Sequence, residues 1–300
     1  MQIDSAQLAT FAAIIEQGSF EAAARHLQLT PSAISQRMKA LESRMGQVLV
    51  RRAKPCHPTG AGEALIRLAN QVSLLETEAL AAVGGAADGQ AVRLRLPVAV
   101  NADSLSSWFL PALAALTALP PDPPVYFELH QEDQDHSAEL LRDGTVLAAV
   151  TADPRAVQGC RVQRLGKMRY LGVATPGYVE RWLSGRPTAQ ALEVAPMMIF
   201  NHKDALQHRL LRKITRRRLE PPVHVVPAAG PFVQAVRLSL GWGMVEEDVA
   251  RLDLDAGRLV EIAADSYVDV PLYWQHWKLD SRVLEALTAA VRAAAAVGLR

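Results

Sequence analysis

Apolar residues recur at helical spacing from the start of the chain. Leu8, Phe11, Ala12 and Ile15 share one face of segment 5–17, which predicts a helix ended by Gly18. Ser19 then caps a second, short helix, Phe20–Leu27, whose Ala22, Ala23 and Ala24 allow close approach of a neighbour. Gln28-Leu29 make a turn, and Thr30-Pro31 reads as the N-cap and N1 proline of a third helix reaching Met45 before Gly46. Its apolar stripe is Ile34, Met38, Leu41 and Met45; Ser32, Ser35, Gln36 and Lys39 lie opposite. The period then changes. Val48–Arg52 reads as a short strand, Lys54–Pro58 as a hairpin tip, and Thr59 as the start of a long helix to Val83. On that helix Leu65, Leu68, Ala69, Val72, Leu75, Ala79 and Ala82 form a near-heptad seam. Gly84–Gly89 reads as a hinge.

From Val92 short apolar runs alternate with helical patterns. Val92–Val100, Val125–Leu129 and Val146–Val150 read as strands, with a helix over Ser104–Ala118 interrupted at Pro111 and another over Ser137–Arg142. A second set follows: strands Arg169–Ala174, Met197–Phe200, Val223–Val226 and Gly241–Val245, with a helix over Phe232–Leu240. The alternation predicts an α/β region of mostly parallel strands in two lobes. Asp280-Ser281 caps a last helix, Arg282–Val297, docked through Val283, Leu287, Ala290, Val291 and Ala294. Trp274 and Trp277, just before it, read as core residues.

Composition narrows the class. With 300 residues, 50% hydrophobic and a net charge of +1, the chain is a folded protein of two or three domains. No apolar run reaches the ~18 residues of a membrane span. Met1–Asp4 lacks the basic and apolar regions of an export signal, so a cytoplasmic protein without membrane partners is expected. Two cysteines, Cys56 and Cys160, do not make a disulfide framework.

Charge is uneven. Between Arg25 and Pro58 stand seven cations (Arg25, Arg37, Lys39, Arg44, Arg51, Arg52, Lys54) against one acid, Glu42. A local basic stripe on a neutral chain is the footprint of phosphate contacts or simply a solvated face. The embedding pattern decides: two helices joined by a tight turn, then a strand and a hairpin, form a winged helix-turn-helix. Ser32, Ser35 and Gln36, with the Thr30-Pro31 helix start, then reach bases or phosphates, Arg37 and Lys39 flank the DNA backbone, and Arg51, Arg52 and Lys54 meet phosphates or the minor groove.

These residues resemble a known family. Ser19-Phe20-x-x-Ala23-Ala24-x-x-Leu27, Pro31-Ser32-Ala33-Ile34-Ser35-Gln36-x-Met38-x-x-Leu41-Glu42, Gly46-x-x-Leu49-x-x-Arg52 and Thr59-x-x-Gly62 are similar to the LysR-type transcriptional regulators. Val50 departs from the Phe usual there. The resemblance implies an α+β protein: an N-terminal winged helix-turn-helix, a long linker helix that pairs subunits, and a two-lobed α/β effector domain like a periplasmic binding protein. The expected boundaries are 1–60 for the DNA-binding domain, 59–85 for the linker, 86–90 for the hinge and 91–300 for the effector domain. Lobe one takes about 91–160 and 268–300, lobe two about 161–267. Promoter DNA, RNA polymerase and a homodimer or homotetramer are the implied partners.

Ligands of such sheets bind at the carboxyl ends of strands. Asn101-Ala102-Asp103-Ser104-Leu105 ends the first and opens a helix, so its N–H groups and Ser104 suit a carboxylate. His130–Asp135 ends the second with Glu132, Asp133 and Asp135, Thr151 ends the third, and Asn201 ends a strand of the second lobe. An anion-accepting end facing acids suits a zwitterion with an extra positive charge, its cationic group at Asp103, Glu132 or Asp133. Val100–Leu105 with Trp108, Glu132-Asp133, Leu165-Gly166-x-x-x-Tyr170-Leu171 and Leu272-Tyr273-Trp274 resemble the lysine- and arginine-sensing branch of the family, which controls exporters of basic amino acids. The expected effector site is therefore Asn101, Asp103, Ser104, Trp108, Glu132, Asp133, Thr151 and Asn201, with L-lysine or L-arginine as ligand.

Rival readings are weaker. Gly60-x-Gly62 and Gly241-Trp242-Gly243 are incomplete dinucleotide fingerprints, and no P-loop, Cys-x-x-Cys, His-Glu-x-x-His or Gly-x-Ser-x-Gly occurs. His130 and His136 lack a third metal ligand. No enzyme, cofactor or metal is expected. The remaining alternatives are a LysR-type regulator of another small molecule, or one that responds to thiol oxidation. Arg216-Arg217-Arg218 reads as a solvated face.

Overall fold

The computed structural model describes residues 3–83, 94–118, 124–131 and 137–300. The hinge expected at 86–90, Val92 and Arg93, and Glu132, Asp133, Asp135 and His136 lie outside the described residues. The element order is α1 (Ser5–Gln17), α2 (Phe20–His26), α3 (Pro31–Met45), β1 (Val50–Arg51), β2 (His57–Pro58), α4 (Gly60–Ala82), β3 (Leu94–Val100), α5 (Ala102–Ser106), α6 (Phe109–Ala118), β4 (Val125–Gln131), α7 (Ser137–Asp143) and β5 (Ala148–Thr151). It continues with β6 (Cys160–Ala174), α8 (Pro176–Leu183), α9 (Ala189–Val194), β7 (Met197–Ile199), α10 (Leu206–Thr215), β8 (Val223–Val225), α11 (Ala229–Arg237), β9 (Gly243–Glu246), α12 (Glu247–Asp255), β10 (Val260–Glu261), β11 (Tyr267–Trp277) and α13 (Arg282–Gly298). The chain packs as two units, one of Met1–Val100, Ala115–Gln163 and Trp274–Ala289, the other of Asn101–Ala114, Arg164–Tyr273 and Ala290–Arg300.

In the first unit, side-chain caps start each amino-terminal helix. Asp4 accepts from Ala6 N, Ser19 from Ala22 N, Thr30 from Ala33 N and Thr59 from Gly62 N, while Gly18 and Gly46 end α1 and α3 in the left-handed region. Phe11, Ile14, Ala23, Ala24, Ile34, Met38, Leu41, Leu49, Val50, Leu65 and Ile66 share one core. The wing is shorter than the strand expected over Val48–Arg52: only Val50↔Pro58 and Arg51↔His57 pair. Pro55 and Pro58 have no N–H to offer a longer ladder. Cys56 N donates to Gly18 O at 2.8 Å, tying the wing to the α1–α2 corner.

The α4 seam also differs from expectation. Leu65, Ile66, Ala69 and Leu74 are buried, whereas Leu68, Leu75, Ala79 and Ala82 are exposed. The seam is split because its Leu65 and Ala69 edge packs on the helix-turn-helix core. Beyond it, β3 lies parallel to β4 from Leu94↔Val125 to Val100↔Gln131 and to β5 at Val98↔Ala148. Trp277 N donates to Leu147 O, and buried Trp274 donates to Thr288 at 3.1 Å, so both tryptophans are core residues as expected.

The parallel pairs β3–β4, β3–β5 and β7–β8 are those the alternation predicts, and strand β6 adds antiparallel pairs to β9 and β10. Apolar alternation reveals a strand but not its direction. The single helix expected over Ser104–Ala118 is two, α5 and α6, broken at Ser107-Trp108. Pro111 falls in the first turn of α6, where its missing N–H costs nothing. Leu171, Val173, Met198, Phe232, Val236, Val245 and Leu259 form the core of this unit. No described helix is long and apolar enough to cross a membrane.

Candidate functional site

Two surfaces carry candidate chemistry. The first is the outer face of the helix-turn-helix. Thr30, Pro31, Ser32, Ser35, Gln36 and Lys39 are exposed along α3, Arg37 is half-buried, and Arg51, Arg52 and Lys54 are exposed on the wing. Thr30 Oγ1 and Ser32 Oγ stand 3.0 Å apart, so one hydroxyl orders the other at the helix start. The Arg52 guanidinium lies 4.9 Å from the Phe20 ring centroid, which holds it in one direction. Glu42 turns its carboxylate inward, and Oε1 accepts from Leu49 N at 2.9 Å. The one acid of the basic stretch thus closes the loop into the wing instead of neutralising a cation.

The second lies within the second unit, where β3 hands over to α5. Asp103 accepts a 2.6 Å hydrogen bond from the Tyr170 hydroxyl. Burial, and Asp204 after it, hold the Asp103 carboxyl above its ordinary range, though the Tyr170 bond works the other way. Tyr170 is pushed far up, first by burial and then by Asp103. Glu246, opposite Tyr170 in the β6–β9 register, is pushed up to about 7 by burial, with Asp248 and Asp103 adding to it. Asn101 is 3% exposed with both carboxamide atoms unpartnered, and Ser104 is 0% exposed with its hydroxyl unpartnered. Buried polar groups without partners are rare and mark a place for a polar ligand or water. The anion reading of this segment changes with its length: α5 has five residues, too few for a strong dipole, so recognition falls on the Asn101 amide and Ser104 hydroxyl.

The other expected residues are placed differently. Trp108 is buried and packs edge-on to Phe109 at 5.6 Å, and a Cβ on Gly298 would stand 2.4 Å from Trp108 Cβ. Its ring is core, although its Nε1 has no partner. Asn201 sits in the turn after β7 and accepts from Lys203 N at 2.8 Å. Thr151 belongs to the first unit, where its hydroxyl accepts from Asp153 N at 3.0 Å. Sequence reading missed Asp204 and Glu246 altogether, and it met Tyr170 only inside a family motif. The signal available for Glu246 was an acid closing an apolar strand, Gly243-Met244-Val245-Glu246. Cys160 is buried, its thiol pushed up to about 12, and Cys56 is buried in the helix-turn-helix core.

Residues 5–63 match the family model "Bacterial regulatory helix-turn-helix protein, lysR family", and residues 89–296 match "LysR substrate binding domain". The HTH-type transcriptional regulator LysG of Mycobacterium tuberculosis (strain ATCC 25618 / H37Rv) is 49% identical over 294 residues, 98% of this chain and 94% of that protein. The crystal structure of ArgP from Mycobacterium tuberculosis is similar at a TM-score of 0.89 and 48% identity, covering 100% of this chain and 99% of that one. Full-length LysG from Corynebacterium glutamicum with bound effector Arg is similar at a TM-score of 0.78 and 38% identity, covering 99% and 100%.

Proposed function

This chain belongs to the LysR family of transcriptional regulators, and from that premise we propose that it senses L-lysine or L-arginine and controls transcription of a basic amino-acid exporter gene. The observation that carries the effector class is the acidic set Asp103, Asp204 and Glu246 beside unpartnered Asn101 and Ser104. Asn101 and Ser104 suit the α-carboxylate and α-ammonium, and the acids suit a cationic side chain. The arginine in the Corynebacterium glutamicum relative supports the same class. Regulation by thiol oxidation has less support, because both cysteines are buried and the Cys160 thiol stays protonated.

The exposed row of α3 and the wing cations suit promoter DNA, with Ser35 and Gln36 reading bases and Arg52 and Lys54 on phosphates. The expected division into winged module (1–60), linker (59–85), hinge (86–90) and effector domain (91–300) fits that use. Exposed Leu68, Leu75 and Leu80 on α4 suit pairing of two chains, and a homodimer, or a homotetramer built from it, would place two modules on a two-fold site. The protein works in the cytoplasm beside RNA polymerase. An effector can switch such a regulator only by binding one arrangement on DNA better than another.

Selection from a random DNA pool with the full-length protein tests the whole reading. The expected result is an enriched site of two-fold symmetry whose footprint changes with L-arginine or L-lysine and not with L-glutamate. An unchanged footprint with every amino acid contradicts it.

A further inference from the structure

Glu246 is buried, 7% exposed, and its Oε2 has no hydrogen-bond partner. The groups that act on it come from several elements: Tyr170 on β6, Asp103 and Ser107 at α5, and Glu247 and Asp248 at the head of α12. Asp204, ahead of α10, acts on Asp103 and Tyr170. Strand β7 brings only Met197, Met198 and Ile199. The cations of neighbouring helices are engaged elsewhere. Arg237 of α11 binds Asp253 at 2.8 Å, and Arg209, Arg212 and Lys213 of α10 donate to the carbonyls of Asp269, His208 and Tyr267.

Three neighbouring acids are each held by partners of their own, whereas Glu246 has the Ser107 side chain and no cation among the described residues. Glu247 holds Arg251 and Arg300 at 2.6 and 2.7 Å, Asp103 holds the Tyr170 hydroxyl, and Asp204 accepts from Phe200 N, Leu206 N and the Gln207 amide. Glu246 is therefore a buried carboxyl in a field of other carboxyls with no described cation beside it. An ionised carboxylate there is costly, so the group keeps a proton until a positive charge arrives. Unpartnered Asn101 and Ser104, which flank Asp103, independently mark this as a ligand site rather than a sealed core.

Resting on the reading that the effector is a basic amino acid, we propose that Glu246, together with Asp103, receives the effector's cationic side chain and releases its own proton to solvent as it does so. The neutral acid and the cation become a carboxylate–cation pair, and one proton leaves to the buffer. Sensing is then tuned by pH, with the response strengthening as pH rises across the neutral range. The sign follows from the group: the unliganded site favours the protonated form, and the liganded site favours the ionised one. A group that titrates at about 7 is about one-tenth ionised at pH 6 and about nine-tenths at pH 8, which sets the expected change in apparent Kd at about tenfold.

The test is titration calorimetry of the full-length chain with L-arginine between pH 6 and pH 8, in buffers of different ionisation enthalpy. The expected result for the wild type is tightening of Kd by about tenfold over that range, with about half a proton released per site near pH 7. Glu246→Gln is expected to bind with no proton release and a flat pH profile, and L-citrulline, neutral but of the same shape, is expected to release none from the wild type. Arginine binding without proton release, or a pH profile unchanged in Glu246→Gln, overturns the proposal while leaving the basic-effector reading in place. Failure of both arginine and lysine to bind at any pH overturns that reading and the proposal with it. The proton count on the wild type needs no variant, so a misfolded Glu246→Gln does not shield the proposal.

Discussion

At the scale of single residues, Glu42 accounts for the unbalanced charge of the amino-terminal module. Its carboxylate is committed to Leu49 N rather than to a cation of α3 or the wing. Base reading and backbone binding then separate by side chain. Gln36→Ala is expected to cost roughly 1–3 kcal/mol on the selected site and little on random DNA, whereas Arg52→Ala weakens both alike and lowers the salt slope by about one. Competition binding against random DNA over a salt series distinguishes them, and equal losses for Gln36→Ala on both DNAs contradict the assignment. In the acidic site Asp103 has the same specificity of role. Asp103→Asn keeps a partner for the Tyr170 hydroxyl but removes a charge, so arginine affinity is expected to fall at least tenfold with DNA affinity unchanged. Unaltered arginine affinity removes Asp103 from the site.

At the scale of elements, close approach decides more than periodicity does. A Cβ on Gly62 would stand 2.3 Å from Leu49 O, so the first turn of α4 must carry glycine to lie against the strand entering the wing. Gly62→Ala is expected to lower the melting temperature and weaken DNA binding, because the wing moves when α4 is pushed away; an unchanged circular-dichroism melt contradicts this. That glycine looks like a fragment of a nucleotide-binding fingerprint in the sequence, and only its backbone neighbour explains it. The α4 face carrying Leu68 and Leu75 makes a second prediction. Leu75→Glu is expected to shift sedimentation velocity from dimer toward monomer, and a variant that stays dimeric contradicts the pairing face.

Across the whole molecule, local signals and distant ones were unequally legible. The caps Ser19, Thr30 and Thr59 and the left-handed Gly18 and Gly46 stand where sequence chemistry puts them, because each is set by residues within one turn. Strand direction, the break at Ser107-Trp108 and the length of β6 depend on partners far along the chain, and periodicity carries none of that. The acidic site divides the same way. Asp103 and Ser104 were visible as a polar strand end, whereas Glu246 joins them only through the pairing of β6 with β9, which brings it opposite Tyr170.

Sensing of a basic amino acid is the claim on which the rest depends, and the most direct test is calorimetric titration of the full-length protein with L-arginine, L-lysine, L-glutamate and L-leucine at one pH. Saturable binding of arginine and lysine, with none of glutamate or leucine, is the predicted result. Binding of glutamate or leucine in place of the basic pair contradicts the account, because buried acids with no described cation beside them favour a cationic side chain over an anionic or apolar one.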